Sequence, residues 1–404
     1  MQSIFPNNGV LTNETRKLVL EVVKHTPPTV AKKRSDGFYD LPLELADVFH
    51  HGYIEVHNRS PREGTNPFLD EYAPLLAPGT DLLKWSDGIA QGDHKNSESQ
   101  KLGRIFARAY LSMHQYRWFS DVKELLRTPE RGWSVQRPPK GGNMPDWLVG
   151  DGNKVAVAEA KGTHRSIHQG SSVLAKSWRP QLKNIKVSKD DKLITLKGWI
   201  VATRWVSAKQ TRTNPKMYAE DPDVPGSRDL RPDEAPSMNL WLARVHTLRN
   251  LRRLRKHRIA HRVAAVGGMR EHIPPVPTMT WRCVVPGLER LTFVGRPVGY
   301  LLVHMPWFLL DWRSVRRFMP IQIDQTKWNR WAWLWETVLD DALDDVWFDG
   351  VALPVVKALV RDELPLTLEE SVERPRRYSG AGLLPDGSLL APVSLMEPAE
   401  QVEL

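Results

Sequence analysis

The run Val155-Ala156-Val157-Ala158 reads as a buried strand, yet it continues into Glu159-Ala160-Lys161. Core strands avoid charge, because a buried ion is costly unless it is paired or bound to a metal. A strand that ends in a carboxylate, a small residue and an ammonium must therefore deliver those groups to a partner. Upstream lie Pro145-Asp146, a short apolar run and Asp151-Gly152. Asp-Gly signals a hairpin, since the primed turns need positive φ. A two-residue turn there pairs Val149 with Lys154, Leu148 with Val155 and Asp146 with Val157. Side chains alternate along a strand, so Val157, Glu159 and Lys161 share one face and Ala156, Ala158 and Ala160 the other. Asp146 then falls on the face of Glu159, diagonally from it, with Cα atoms roughly 7–8 Å apart. A slip of one residue would turn Asp146 to the opposite face. The alanines call for a close partner behind the strand, most simply a helix.

Two carboxylates at a strand end offer hard oxygen ligands suited to Mg²⁺ or Mn²⁺. A neighbouring Lys can orient a water, and the metal charge can neutralise a phosphate and its leaving oxygen. Pro145-Asp146, twelve residues, then Glu159-Ala160-Lys161 resembles the PD-(D/E)XK nuclease superfamily. The resemblance implies an α/β protein with a restriction-endonuclease-like core: a mixed sheet flanked by helices, with accessory N- and C-terminal segments. It implies Asp146 and Glu159 as ligands of Mg²⁺ or Mn²⁺, the Ala160 carbonyl completing the shell, and Lys161 as the water-activating residue. Many members add a Glu in the first helix, matched by Glu98, and some a Gln after the motif, matched by Gln181. From the residues alone, Glu98 also reads as an acid favoured near a helix N-terminus, and Gln181 as a surface amide.

The flanks fit that core over residues 96–207. Leu102, Ile105, Phe106, Ala109, Tyr110 and Met113 recur at helical spacing. Trp133 to Gln136 reads as the first strand and 196–207 as the fourth. Residues 171–185 read as a helix interrupted at Pro180. Around the core, 1–95 reads as an accessory region, with 15–25 and 41–57 as helices or a helix then a strand. Residues 208–237, polar and rich in Pro and Asp, read as a linker or loop. Residues 238–364 form a basic-helix and Trp-rich region, with strand-like runs between 280 and 310. The tail, 365–404, reads as loosely ordered.

Charge is uneven along the 404 residues, whose formal net charge is +10. Residues 160–189 hold seven Lys/Arg and no acid, and 238–270 hold nine and no acid. From 340 onward, fourteen Asp/Glu face five Lys/Arg. A basic middle beside the carboxylates suits a polyanion. Lys176, Arg179, Lys183, Arg249, Arg252, Arg253 and Arg255 are the expected nucleic-acid contacts. The stripe Val245, Leu248, Leu251, Leu254 leaves a second reading of the Arg-rich helix, as one that packs its apolar side on the core.

One cysteine, Cys283, excludes an internal disulfide and fits a reducing cytosol. The N-terminus lacks the order of a signal peptide, and no apolar run spans a membrane, so a cytoplasmic protein is expected. His50, His51 and His57 read as ordinary histidines rather than a metal site. The function expected is Mg-dependent DNA hydrolysis in bacterial restriction or phage defence. Its partners are DNA and a protein supplying ATPase or targeting function, with homo-oligomerisation left open. The rival reading is a non-cleaving nucleic-acid-binding or scaffold subunit.

Overall fold

The computed structural model describes residues 14–56, 72, 75–87, 90, 92, 94–137, 142–169, 172–173, 178–266, 274–285, 287–298, 347–365 and 382–404. Strands β1 (Thr15–Val23), β2 (Lys32–Ser35) and β3 (Phe38–Glu44) lead into helix α1 (Leu45–Val56). Helix α2 (His94–Met113), strand β4 (Trp118–Asp121) and the short helix α3 (Val122–Leu125) follow. Next come β5 (Trp133–Gln136), β6 (Trp147–Gly150) and β7 (Val155–Thr163). After the small pair β8 (His168–Gln169) and β9 (Ser172–Val173), a 3-10 turn spans Arg179–Lys183. Then come β10 (Lys186–Lys189), β11 (Lys192–Ile194), β12 (Lys197–Arg204) and β13 (Lys216–Glu220).

The main sheet has eight strands in the order β2-β3-β1-β13-β12-β7-β6-β4. β4, β6 and β7 form an antiparallel meander, and β12 runs parallel to β7 on its other side. β13 is antiparallel to β12 and parallel to β1. The protein is thus mixed α/β, a large mixed sheet with helices on both faces. The helix expected behind the alanines is α2. Ala156, Ala158 and Ala160 share a core with Leu102, Ile105, Phe106 and Tyr110. Contact is closest where Gly103 of α2 meets Gly162 of β7: a Cβ on Gly103 would overlap the Gly162 backbone, and one on Gly162 would overlap the Ser99 backbone of α2. Small residues on both elements let the helix lie directly on the strand.

Helix α4 (Ala235–Arg253) covers the opposite face, and α5 (His257–Val266) continues it after Arg255 takes a left-handed conformation at φ 56°. Beyond lie β14 (Pro277–Cys283), β15 (Thr292–Val298), β16 (Trp347–Ala352), α6 (Leu353–Val360), β17 (Gly382–Leu383), β18 (Ser388–Pro392) and β19 (Met396–Glu403). These strands form a six-stranded antiparallel sheet, ordered β17-β18-β16-β15-β14-β19, that packs with α4, α5 and α6. No helix among the described residues is long and apolar enough to cross a membrane.

Several expectations need correction. Residues 15–23 are a strand, not a helix, and pair with β13 inside the main sheet. β13 itself lies in the 208–237 stretch expected as a linker; its buried Met217, Tyr218, Ala219 and Glu220 make it an interior strand. Trp133–Gln136 is a strand, but it belongs to a separate three-stranded sheet ordered β11-β10-β5. The first strand of the meander is Trp118–Asp121. The helix expected over 171–185 is replaced, where described, by strand β9 and the 3-10 turn. Residues 382–404 of the supposedly loose tail supply three strands of the second sheet. The Trp-rich run 326–348 lies outside the described residues up to 346.

The Arg-rich helix is interior. Arg253 is fully buried and bidentate to Asp349 of β16, at 2.9 and 2.8 Å. Tyr53 of α1 also donates to Asp349, at 3.0 Å. Arg244 pairs with Glu130 and, at 2.8 Å, with Asp362. Acids from both halves of the chain, Asp349 and Asp362 among them, therefore pair with the basic helix within one chain. Removing one member of such a pair strands a buried charge, whereas removing both does not. Asp349→Ala is expected to destabilise the protein by about 3–5 kcal/mol, and Arg253→Met/Asp349→Leu to recover most of that loss. Denaturant unfolding of the three proteins checks this; equal losses in the single and double variants would contradict it.

Candidate active site

The β6–β7 hairpin pairs Gly150 with Val155, Val149 with Ala156, Leu148 with Val157 and Trp147 with Ala158. That is two residues off the expected register. The turn is wider because the Asp151 carboxylate accepts from the N–H groups of Asn153 and Lys154, at 2.6 and 2.5 Å, and Gly152 sits at φ 111°. A shift of two preserves the face. Asp146, one step beyond the last ladder pair, comes directly opposite Glu159 rather than diagonal to it. β6 has ended there, so the Asp146 carboxylate takes the place of a ladder carbonyl and accepts from Ala160 N–H at 2.8 Å. The Asp146 N–H donates to Ala158 O at 3.1 Å. The backbone thus fixes the Asp at both ends.

Around this pair the structure gathers Lys161 and Gln181. Lys161 Nζ forms an ion pair with Glu159 Oε1 and donates to Gln181 Oε1 at 3.1 Å. Gln181 comes from the 3-10 turn, which is anchored elsewhere too: Arg179 pairs with the buried Glu220, and Asn184 Nδ2 donates to Asn143 O at 2.8 Å. Glu159 is in register with Ile200, and Ile200 with Glu220, so both acids lie on one sheet face, two strands apart. Glu220 also accepts from Tyr218 OH at 2.8 Å.

Arg104 of α2 was not foreseen. Its guanidinium pairs with Asp146, lies 3.4 Å from Asp121 and reaches Glu55 at 2.5 Å. It covers the Trp147 ring at 4.6 Å. The only signal in the sequence is its helical spacing one residue after Gly103, which does not by itself name a partner across the sheet end. Glu98 is not brought into the cluster by any of its bonds. It accepts from Tyr72 OH and lies 3.5 Å from Lys101.

The nucleic-acid contacts expected from charge divide sharply. Lys183 is exposed on the 3-10 turn, and Arg255 is exposed after α4. Arg179 is paired to Glu220. Arg249 donates to Glu55 O, and Arg252 lies 3.4 Å from Glu124. Arg253 is a core ion, which removes it as a phosphate contact. Lys176 lies outside the described residues. His50 and His51 are buried core residues, with His50 pushed down to about 3 chiefly by burial; His57 lies outside the described residues.

Burial dominates the electrostatics. Glu159 is only 3% exposed, and its carboxyl is pushed up to about 8, first by burial and then by Asp146, against the pull of Lys161. Asp146 is raised as well, by burial, against Arg104 and the Ala160 N–H. Glu159 Oε2 is buried without a hydrogen-bond partner among the described residues. Such an oxygen calls for a proton or a cation. Among the described residues no group of three or more His, Cys, Asp or Glu side chains is placed to hold a metal. The fit is to an ion such as Mg²⁺, which commonly takes one or two carboxylates and keeps several waters.

A carboxyl whose folded pKa is raised favours the folded state when protonated. Stability is therefore lost as pH rises from the ordinary 4.5 to about 8. Glu159→Gln cannot ionise. Its stability relative to the parent is expected to climb across about pH 5 to 8, by at most roughly 1.4 kcal/mol per pH unit. Denaturant midpoints measured without divalent metal check this, and a difference that does not change with pH would contradict it.

No protein-family model, curated protein or solved structure matches the chain.

Proposed function

We propose that the protein is a metal-dependent nuclease of the PD-(D/E)XK type that hydrolyses phosphodiester bonds in DNA. The observation that carries the reading is the unpartnered, buried Glu159 Oε2 in the row that holds Asp146, with Lys161 fixed between Glu159 and Gln181. The element order supports it in part: a helix, an antiparallel meander and a further strand parallel to the third are present, while a 3-10 turn stands where the core's second helix was expected. Asp146 and Glu159 would hold Mg²⁺ or Mn²⁺, with the Ala160 carbonyl as the third protein oxygen. When bound, the ion would supply positive charge against the scissile phosphate.

The remaining work falls to the chain's own groups. Lys161 Nζ, tethered at two points, orients the attacking water and places its positive charge beside the hydroxide character that develops there. Gln181 limits the swing of that ammonium. Arg104 neutralises one Asp146 oxygen and keeps two close carboxylates tolerable before an ion arrives. Bacterial restriction or phage defence is the proposed setting, by analogy of fold.

Plasmid DNA with Mg²⁺ or Mn²⁺ is expected to be nicked or linearised. Asp146→Asn and Glu159→Gln should abolish cleavage with the fold intact, and Lys161→Ala should slow it by on the order of 10²–10⁴. Cleavage by the parent that persists in EDTA would contradict the mechanism. A parent that binds DNA without cutting it would support the scaffold reading instead.

A further inference from the structure

Six cations of the two basic runs are consumed internally. Lys161, Arg179, Arg244, Arg249, Arg252 and Arg253 all have carboxylate partners. Lys183 and Lys186 differ: both are exposed and form no ion pair among the described residues. They adjoin Arg137, also exposed, whose guanidinium donates, among the described residues, to a backbone oxygen, Gly142 O, at 3.1 Å.

These residues form one surface. Lys186 is the ladder partner of Gln136, and Arg137 follows it in the chain. Arg137 reaches Gly142, and Gly142 abuts Asn184. Asn184 is bonded to Asn143 and follows Lys183. Gln136, Arg137, Gly142, Asn143, Lys183 and Lys186 are all exposed, and none is acidic. The strip runs to the candidate site at two points. Asn143 stands three residues before Asp146, and Lys183 two residues after Gln181, the partner of Lys161. Its support is rigid: Leu182 fills the space above Gly198, where a Cβ would overlap it.

Exposed lysines on strands often serve only to block edge pairing. That account suits Lys32, Lys33 and Arg34 on β2, the edge of the main sheet. It does not suit Lys186, because β10 is the middle strand of its sheet. An acid-free strip of cations and amides, beside the Asp146 and Glu159 carboxylates, has the chemistry of phosphate positioning.

We infer that the strip Gln136, Arg137, Gly142, Asn143, Lys183 and Lys186 is the surface on which a DNA backbone lies as it enters the Asp146–Glu159 site. The inference rests on the nuclease reading for its choice of ligand, but its test does not use cleavage. Affinity for a short DNA duplex is measured without divalent metal at salt concentrations between about 50 and 200 mM. Arg137→Ala/Lys183→Ala/Lys186→Ala is expected to flatten the slope of log K against log salt by about 2–3. Lys32→Ala/Lys33→Ala/Arg34→Ala should leave it unchanged, and both triple variants should keep the parental thermal midpoint. Lys183→Glu/Lys186→Glu should weaken binding further than the alanine set. A parental slope in the strip variant, an equal loss in the β2 variant, or no saturable DNA binding by the parent would overturn the inference. DNA binding with the predicted slopes, but no cleavage under any divalent metal, would overturn the nuclease reading and leave the strip standing.

Discussion

The hydrogen bond from Ala160 N–H to the Asp146 carboxylate, 2.8 Å long, is the contact on which the candidate site depends. β6 is one residue too short to satisfy β7 at that point, and the aspartate side chain completes the ladder. This fixes Asp146 opposite Glu159 and sets which face both occupy. The reverse face of β7 is made of alanines and Gly162 so that α2 can lie on it, which leaves the carboxylates facing the other way. Burial is the largest cause that raises both carboxyls. Two close acids whose carboxyls are both raised, with one oxygen unpartnered among the described residues, have the chemistry to exchange a proton for a cation.

A second constraint joins the two sheets. Glu55 of α1 takes Arg104 and Arg108 of α2 and Arg249 of α4. Arg108 also lies 3.4 Å from Asp386, which accepts from His246 at 2.6 Å, and Ser388 accepts from Asn250 at 3.2 Å. Charges from four parts of the chain thus form one buried network, and Arg104 is the member that also touches the site. Desolvation makes such networks weak sources of net stability, but each member is expensive to orphan. We read this network as a device that fixes how the C-terminal sheet and α4 seat against the main sheet.

The sequence carried the parity of the hairpin but not its register. Alternation along β7 put Asp146, Glu159 and Lys161 on one face, and a shift of two residues left that unchanged. The register itself depended on Asp151 capping its own loop, a local bond that competes with the two-residue turn. α2 and β12 were legible because their patterns are long. β13 was not: five residues set among prolines and aspartates give too short a period to stand out, and only their burial between β12 and β1 makes them a strand. The arginines of α4 misled for a related reason. Charge patterning suggests a solvated or phosphate-facing helix unless the acids that neutralise it are visible, and those acids lie about 100 residues away for Arg253 and Arg244 in the C-terminal half. Gln181 reaches Lys161 from a 3-10 turn instead of the helix expected. Arg104 and Glu220 entered through contacts that no spacing encodes.

The central claim is that Asp146 and Glu159 together form a divalent-cation site. Mn²⁺ titration calorimetry at neutral pH tests it directly, without a nucleic acid and without turnover. The account predicts saturable binding by the parent accompanied by proton release, because Glu159 must surrender its proton to bind the ion, and loss of both in Asp146→Asn and in Glu159→Gln. No saturable binding by the parent, or binding that survives both substitutions, would contradict it.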